Sequence, residues 1–253
     1  MTFEVAADAY NRFMGRYSGP LATRFADWAG VGTGPARVLD VGCGPGALTR
    51  VLVDRLGVDA VSAVDPSQPF LSSLRQQLPT LDVQLGGAEH LPYPDDLFDV
   101  VLAQLVVHFM ADPVGGLREM ARVTRPGGTV AACVWDHGGG GGPLALFWQA
   151  VADLDPGAHG EGDLPGASEG SLALLFDAAG LTGIEDTSLM VPVRHETFEE
   201  WWEPYTLGVG PAGDYVRSLA PDRRDALRER CRELAPAAPF HVLASAWAVR
   251  ARA

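Results

Sequence analysis

Residues Arg37 to Val41 form an apolar run that ends in Gly42-Cys43-Gly44-Pro45-Gly46 and passes straight into Leu48, Val51, Leu52 and Leu56 at helical spacing. Glycines where a buried strand turns into a helix let the backbone approach a ligand, and the free N–H groups of the helix start attract its negative end. A second apolar run, Ala60 to Val64, stops at Asp65-Pro66-Ser67, after which Phe70, Leu71, Leu74 and Leu78 mark another helix. Strand, glycine turn, helix, strand is a βαβ unit whose crossover sets the two strands parallel and adjacent.

The alternation continues through Asp82 to Leu85, the apolar run Phe98 to Val107, a helix from Asp112 to Thr124, and Thr129 to Trp135 after Pro126-Gly127-Gly128. Five strands with intervening helices predict an α/β fold built on an open doubly wound sheet. Five consecutive glycines, Gly138 to Gly142, read as a flexible link and a soft boundary. Beyond it come helices at Leu144 to Leu154 and Ser171 to Ala179, a strand at Ile184 to Val193, a helical block from Thr197 to Ala235 and a last strand at Phe240 to Val249. Upstream, helices at Glu4 to Tyr17 and Leu21 to Trp28 flank Ser18-Gly19-Pro20, which predicts a break between them. The expected division is an N-terminal helical arm over 1–35, a nucleotide-binding core over 36–142, and remaining sheet strands with an inserted helical cap over 143–253.

At roughly 100–200 residues per domain, 253 residues allow one large domain or one with a smaller cap. Apolar residues at 47% and charged residues at 20% describe a folded globular chain. The formal charge, 19 − 32 = −13, repels phosphate backbones and anionic lipids, so no nucleic-acid partner and no membrane surface is expected. Every basic residue is arginine. Without lysine, a phosphate loop ending in Gly-Lys-Ser/Thr, a pyridoxal Schiff base and a kinase-type lysine are all excluded. Cys43, Cys133 and Cys231 form no C-x-x-C pair, and His195-Glu196 is followed by Glu199 where a zinc helix needs a second histidine, so no metal site is expected. The first residues carry an acid where a secretory signal carries positive charge, and the longest apolar stretch, Val100 to Met110, is interrupted by Gln104 and His108. A cytoplasmic location is the default expectation.

The glycine loop admits two readings. Gly42-x-Gly44-x-x-Ala47 fits a dinucleotide fingerprint, with Asp65 near the offset for a ribose contact. Asp40, an acid at the strand end, is poorly placed for a pyrophosphate and suits a ligand with an ammonium or sulfonium group, and no Arg lies between Arg37 and Arg50 to neutralise phosphates.

Five segments carry a resemblance to a known family. Asp40-Val-Gly-Cys-Gly-Pro-Gly46, Val64-Asp65-Pro66-Ser67, Gly87-Ala88-Glu89-His90-Leu91-Pro92-Tyr93-Pro94-Asp95-Asp96-Leu97-Phe98-Asp99, Val107-His108 and Arg122-Val123-Thr124-Arg125-Pro126-Gly127-Gly128 together resemble the class I S-adenosylmethionine-dependent methyltransferases. Within that class they resemble the small-molecule subfamily containing the ubiquinone and menaquinone biosynthesis enzymes (methyltransferase type 11). The resemblance spans about residues 36–135. Tyr93 where phenylalanine is common and Arg125 in place of the usual lysine are modest departures.

The resemblance implies a Rossmann-like, seven-stranded doubly wound sheet with an antiparallel edge hairpin, and S-adenosyl-L-methionine as cofactor. It implies that Asp65, followed by Pro66, binds both ribose hydroxyls, that Gly42, Gly44 and Gly46 face the methionine portion, and that Asp40 stabilises its ammonium end. Ala88 and Glu89 should edge the adenine, Gln104 and Leu105 should lie beneath the sulfonium, and Arg16 and Tyr17 should close over the methionine carboxylate. The loop Ala103-Gln104-Leu105-Val106 lacks the Asp/Asn-Pro-Pro-aromatic signature of methylation on nucleic-acid amines, so a small-molecule acceptor is expected, methylated on oxygen or carbon. His108 is the candidate general base, since an imidazole accepts a phenol or enol proton near neutral pH. A core or pocket-shaping histidine is the competing reading. Trp135, Asp136 and His137, or Trp201, Trp202 and Tyr205, are alternative acceptor contacts that packing explains equally well. Two other functions stay open: an NAD(P)-dependent oxidoreductase and a non-catalytic S-adenosylmethionine-binding protein.

Overall fold

The computed structural model describes residues 7–253. The proposed helix start at Glu4 lies outside the described residues. The arm comprises α1 (Ala7–Tyr10), a π-helical turn at Asn11–Gly15 and α2 (Arg16–Trp28). Strand and helix then alternate: β1 (Val38–Val41), α3 (Ala47–Leu56), β2 (Val61–Asp65), α4 (Gln68–Gln77), β3 (Asp82–Leu85), β4 (Phe98–Gln104), α5 (Pro113–Val123) and β5 (Thr124–Trp135). Helices α6 (Ala145–Leu154) and α7 (Ser171–Ala178) lead to β6 (Thr182–His195). A helical insert of α8 (Phe198–Trp202), α9 (Gly210–Ser218) and α10 (Pro221–Leu234) precedes β7 (Phe240–Arg252).

The strands form one seven-stranded sheet in the order β3-β2-β1-β4-β5-β7-β6. Strands β1 to β5 are parallel, whereas β7 runs antiparallel to both β5 and β6. Order reverses between β1 and β4, the switch point where open α/β sheets bind ligands at the strands' carboxyl ends. Period-two alternation explains the two layers of helices. In β5, Ala131, Cys133 and Trp135 join the core beneath α2, α3 and α4, while Val130, Ala132 and Val134 join the opposite core with Leu117, Met120 and Phe176. A third core, holding Phe147, Trp201, Trp202, Tyr205 and Val216, belongs to the cap and takes in Phe13 of the arm.

Two local expectations are corrected. Pro20 does not separate two helices: it lies within continuous α2, where its missing N–H forfeits one bond to the Arg16 carbonyl. Burial of Leu21, Ala22, Phe25 and Ala26 against the sheet offsets that loss, and the break in regular α-helix falls earlier, at the π turn. Nor is Gly138 to Gly142 a slack link. Gly139 N–H donates to Asp136 Oδ1 at 2.8 Å, Gly142 N–H to the Asp136 carbonyl at 2.7 Å, Gly138 N–H to Ala167 O at 2.8 Å, and Gly141 O accepts from Ser245 N–H at 2.7 Å. A Cβ on Gly139 would stand 2.6 Å from Asp136 Oδ1, so these glycines permit a close wrap around one carboxylate.

Candidate active site

The carboxyl ends of β1, β2 and β4 open into a cleft of about 360 Å³. Gly42 and Cys43 donate their N–H groups to the Val64 carbonyl at 2.8 and 3.0 Å, drawing the loop across to β2. Gly42 has φ +67°, and a Cβ there would lie 2.4 Å from Val106 Cγ2, so only glycine fits. Asp65, buried at the end of β2, accepts from Gly44 N–H at 2.8 Å and from Ser67 N–H at 2.7 Å, one bond to each oxygen. Burial raises its carboxyl above the usual range and the Ser67 and Gly44 amides oppose the rise. Each oxygen keeps a second lone pair for a ligand hydroxyl.

Gly42, Gly44, Asp65, Pro66, Ala88, Glu89, Gln104 and Leu105 all line this one cleft. Glu89 is held by Ala111 N–H at 2.9 Å, and Gln104 Nε2 donates to the Ser18 carbonyl at 3.0 Å, pinning α2 over the end of β4. Leu105 occupies the left-handed region at φ +63°, unusual for a non-glycine residue and a mark of a constrained site. Tyr10, Phe109 and Met110 also line the cleft, and nothing in the sequence pointed to them. Tyr10 packs edge-on against Phe70 at 5.4 Å, and its phenol is pushed up to about 12 by burial and then by Asp65.

Four expected residues lie elsewhere. Asp40 is buried behind the loop, its Oδ2 accepting from Thr49 Oγ1 at 2.6 Å. Its carboxyl is pushed up to about 7 by burial, against the Thr49 hydrogen bond and with help from Asp65. Gly46 begins α3 and faces Leu74. Arg16 and Tyr17 turn toward the sheet's far edge, where His195 holds both: Arg16 Nη1 to Nδ1 at 2.9 Å and Tyr17 Oη to Nε2 at 3.0 Å. Guanidinium only donates, so Nδ1 is the acceptor and Nε2–H donates to Tyr17. In this arrangement neither residue reaches the cleft, because a partner late in the chain claims them.

A second, inner cavity of about 40 Å³ shares Tyr10, Leu105 and Phe109 with the cleft. His108 and His137 line it with ring centroids 6.1 Å apart. Burial, then His137, pushes His108 down to about 3; burial, against Asp136, pushes His137 down to about 4. Both imidazoles are neutral at neutral pH, and the low value makes His108 a feeble proton acceptor. Trp135 also lines this cavity, whereas Trp201, Trp202 and Tyr205 are cap core. Glu161, from the loop between α6 and α7, enters the wall with no forewarning in the sequence beyond its flanking glycines.

Among the described residues, no group of three or more His, Cys, Asp or Glu is placed to hold a metal ion, and no helix is long and apolar enough to cross a membrane.

A glycine turn at a sheet switch point, with a buried acid on the neighbouring strand, gives a Rossmann-like fold with a cleft at the strands' carboxyl ends. Residues 39–132 match the family model described as a methyltransferase domain. The chain is 42% identical over 136 residues to an uncharacterized methyltransferase of Mycobacterium tuberculosis, covering 54% of this chain and 52% of that one. It is 36% identical over 130 residues to malonyl-[acyl-carrier protein] O-methyltransferase of Salmonella typhimurium, covering 51% and 49%. It thus spans about half the length of these curated relatives. Among solved structures, the YcgJ protein of Bacillus subtilis superposes with TM-score 0.58 at 18% identity, covering 93% of this chain and 97% of that one. Geranyl diphosphate C-methyltransferase of Streptomyces coelicolor, solved with S-adenosyl-L-homocysteine, gives 0.52 at 16%, covering 94% and 80%. Over residues 39–132 and in its fold, the chain is similar to the class I S-adenosylmethionine-dependent methyltransferases.

The cleft fits that cofactor. Asp65 offers lone pairs to a pair of vicinal hydroxyls, the loop between Gly42 and Gly44 presents bare backbone, and Ala88 with Met110 gives an apolar slot for a base.

Proposed function

We propose that this chain transfers a methyl group from S-adenosylmethionine to a small-molecule acceptor, on oxygen or carbon. The observation that carries the reading is the shared wall of Tyr10, Leu105 and Phe109 between the nucleoside cleft and a mostly apolar inner cavity. S-Adenosylmethionine, when bound, supplies an electrophilic methyl group on a sulfonium. The chain's own contribution is alignment and exclusion of water. Asp65 and Pro66 hold the ribose end, Ala88 and Glu89 edge the base, Gly42 and Gly44 bring backbone close to the amino-acid portion, and Gln104 and Leu105 set the floor. Asp40 braces the loop from behind through Thr49. The cap and arm close the acceptor side, with Phe13 and Met14 in the inner wall.

Calorimetric titration of wild type and Asp65→Ala with S-adenosylmethionine, S-adenosylhomocysteine and NAD tests this. Micromolar binding of both adenosyl ligands, weakened at least a hundredfold by Asp65→Ala, is the expected result. NAD binding without adenosyl binding overturns the reading in favour of an oxidoreductase. Binding without release of S-adenosylhomocysteine across a broad panel of hydroxyl and carbon acceptors identifies a non-catalytic binder.

A further inference from the structure

The acceptor side carries acids and neutral rings but no cation. The inner cavity adjoins an outer hollow of about 390 Å³, walled by Asp136, the glycines that wrap it, Trp148 and Gly160 to Gly162. His137 and Glu161 line both spaces. No arginine lines either, and the chain has no lysine to supply. Glu161 is buried, and its carboxylate takes one hydrogen bond, from Trp148 Nε1 to Oε2 at 2.9 Å; Oε1 accepts none among the described residues. In the same wall His108 Nδ1 and Trp135 Nε1, both on buried residues, also lack hydrogen-bond partners among the described residues. Buried polar atoms without partners are rare, and a ligand that completes the His108 and Trp135 nitrogens beside the open Glu161 oxygen explains the cluster. The inner space holds one or two waters' worth of volume, which suits a single functional group, while the outer hollow has room for the body of a small molecule.

We propose that Glu161 selects the acceptor: its free oxygen takes a hydrogen bond from the hydroxyl of an uncharged molecule whose body lies in the glycine-walled hollow, and it turns away carboxylates and phosphates. With Glu161 ionised, as at pH 8, carbonyl, carboxylate and phosphate oxygens cannot donate to it, and an anion would face Glu161 and Asp136 with no counter-charge. An ammonium would have to shed its hydration to reach a residue as buried as Glu161. The same burial that pushes the Glu161 carboxyl up to about 7 holds His108 and His137 neutral, so the site penalises charge of either sign. Selective binding by Glu161 stands independently of the methyl-transfer reading; only the fate of the bound hydroxyl rests on it.

The test uses the full chain saturated with S-adenosylhomocysteine and follows tryptophan fluorescence, since Trp135 and Trp148 border the two spaces. At pH 8 it is titrated with p-cresol, p-toluate and 4-methylbenzylamine, three molecules with the same ring and different polar ends. Wild type should bind p-cresol at least tenfold more tightly than either charged analogue. Glu161→Gln, which keeps an oxygen for Trp148, should weaken p-cresol a few-fold and improve p-toluate about tenfold. Glu161→Ala should weaken p-cresol further. Binding of p-toluate as tight as p-cresol, or p-toluate affinity unmoved by Glu161→Gln, overturns the proposal, as does failure of all three to bind. With S-adenosylmethionine in place of the product, release of no S-adenosylhomocysteine while the order of affinities holds counts against methyl transfer and supports selection by Glu161.

Discussion

Asp40 carries its charge at the end of β1 with one hydroxyl, Thr49, for company. Because burial lifts its folded-state pKa above the unfolded value, the stability it contributes is full below about pH 4 and is lost as pH rises through about 7. Asp40→Asn removes that loss. Its thermal midpoint should exceed wild type by several degrees at pH 8, with the gain shrinking toward pH 4; equal gains at both values would show that ionisation of Asp40 is not the cause. Gly42 is constrained differently, by the Val106 methyls and its positive φ, so Gly42→Ala should cost about 2–4 kcal/mol in denaturant unfolding. The constraint at Gly42 was legible in the sequence because a strand-to-helix turn is local. Glu161 was not legible, since nothing in Gly160-Glu161-Gly162 says which cavity the loop will border. Arg16 and Tyr17 turn away from the cleft for a related reason: a helix position is readable, but the partner that holds them, His195, lies far along the chain.

Among the elements, α2 depends on that histidine. His195 stacks on Phe240 at 5.4 Å and sits between the arm and the edge hairpin. Burial and then Arg16 push it down to about 4, with Glu200 opposing and His241 adding to the fall. A depressed histidine contributes stability above about pH 6.5 and loses it as pH falls toward 4. Hydrogen-exchange protection of α2, corrected for intrinsic rates, should therefore drop between pH 6.5 and 4. His195→Phe should remove most of that dependence while lowering protection at neutral pH, because Arg16 and Tyr17 lose their partner. The strands were readable from period-two alternation, and β6 and β7 extend beyond their predicted ends because pairing with each other, not hydropathy, sets their length. The π turn at Asn11–Gly15 left no sequence signal, and the glycine run misled because composition reports freedom while Asp136 removes it.

For the molecule as a whole, electrostatics and packing pull apart. The ion pairs link partly exposed side chains, such as Arg230 with Asp153 and Arg122 with Asp95, and each is worth little in water. Against them stands the self-repulsion of a net charge of −13. Raising NaCl from about 0.05 to about 0.5 M, which shortens the screening length to a few ångströms, should thus raise the thermal midpoint; a fall would mean that the pairs outweigh the repulsion. Packing couples the arm to the cap through Phe13, which meets Tyr205 edge-on at 5.2 Å. The order of the sheet carries a consequence for synthesis on the ribosome. β6 is made before β7 yet lies outside it, so until β7 emerges the nascent chain has a bare outer edge on β5 and a long strand with nowhere to pair. That interval exposes two open ladders at once, and a chaperone that shields strand edges would find its client there and lose it when β7 slots between them.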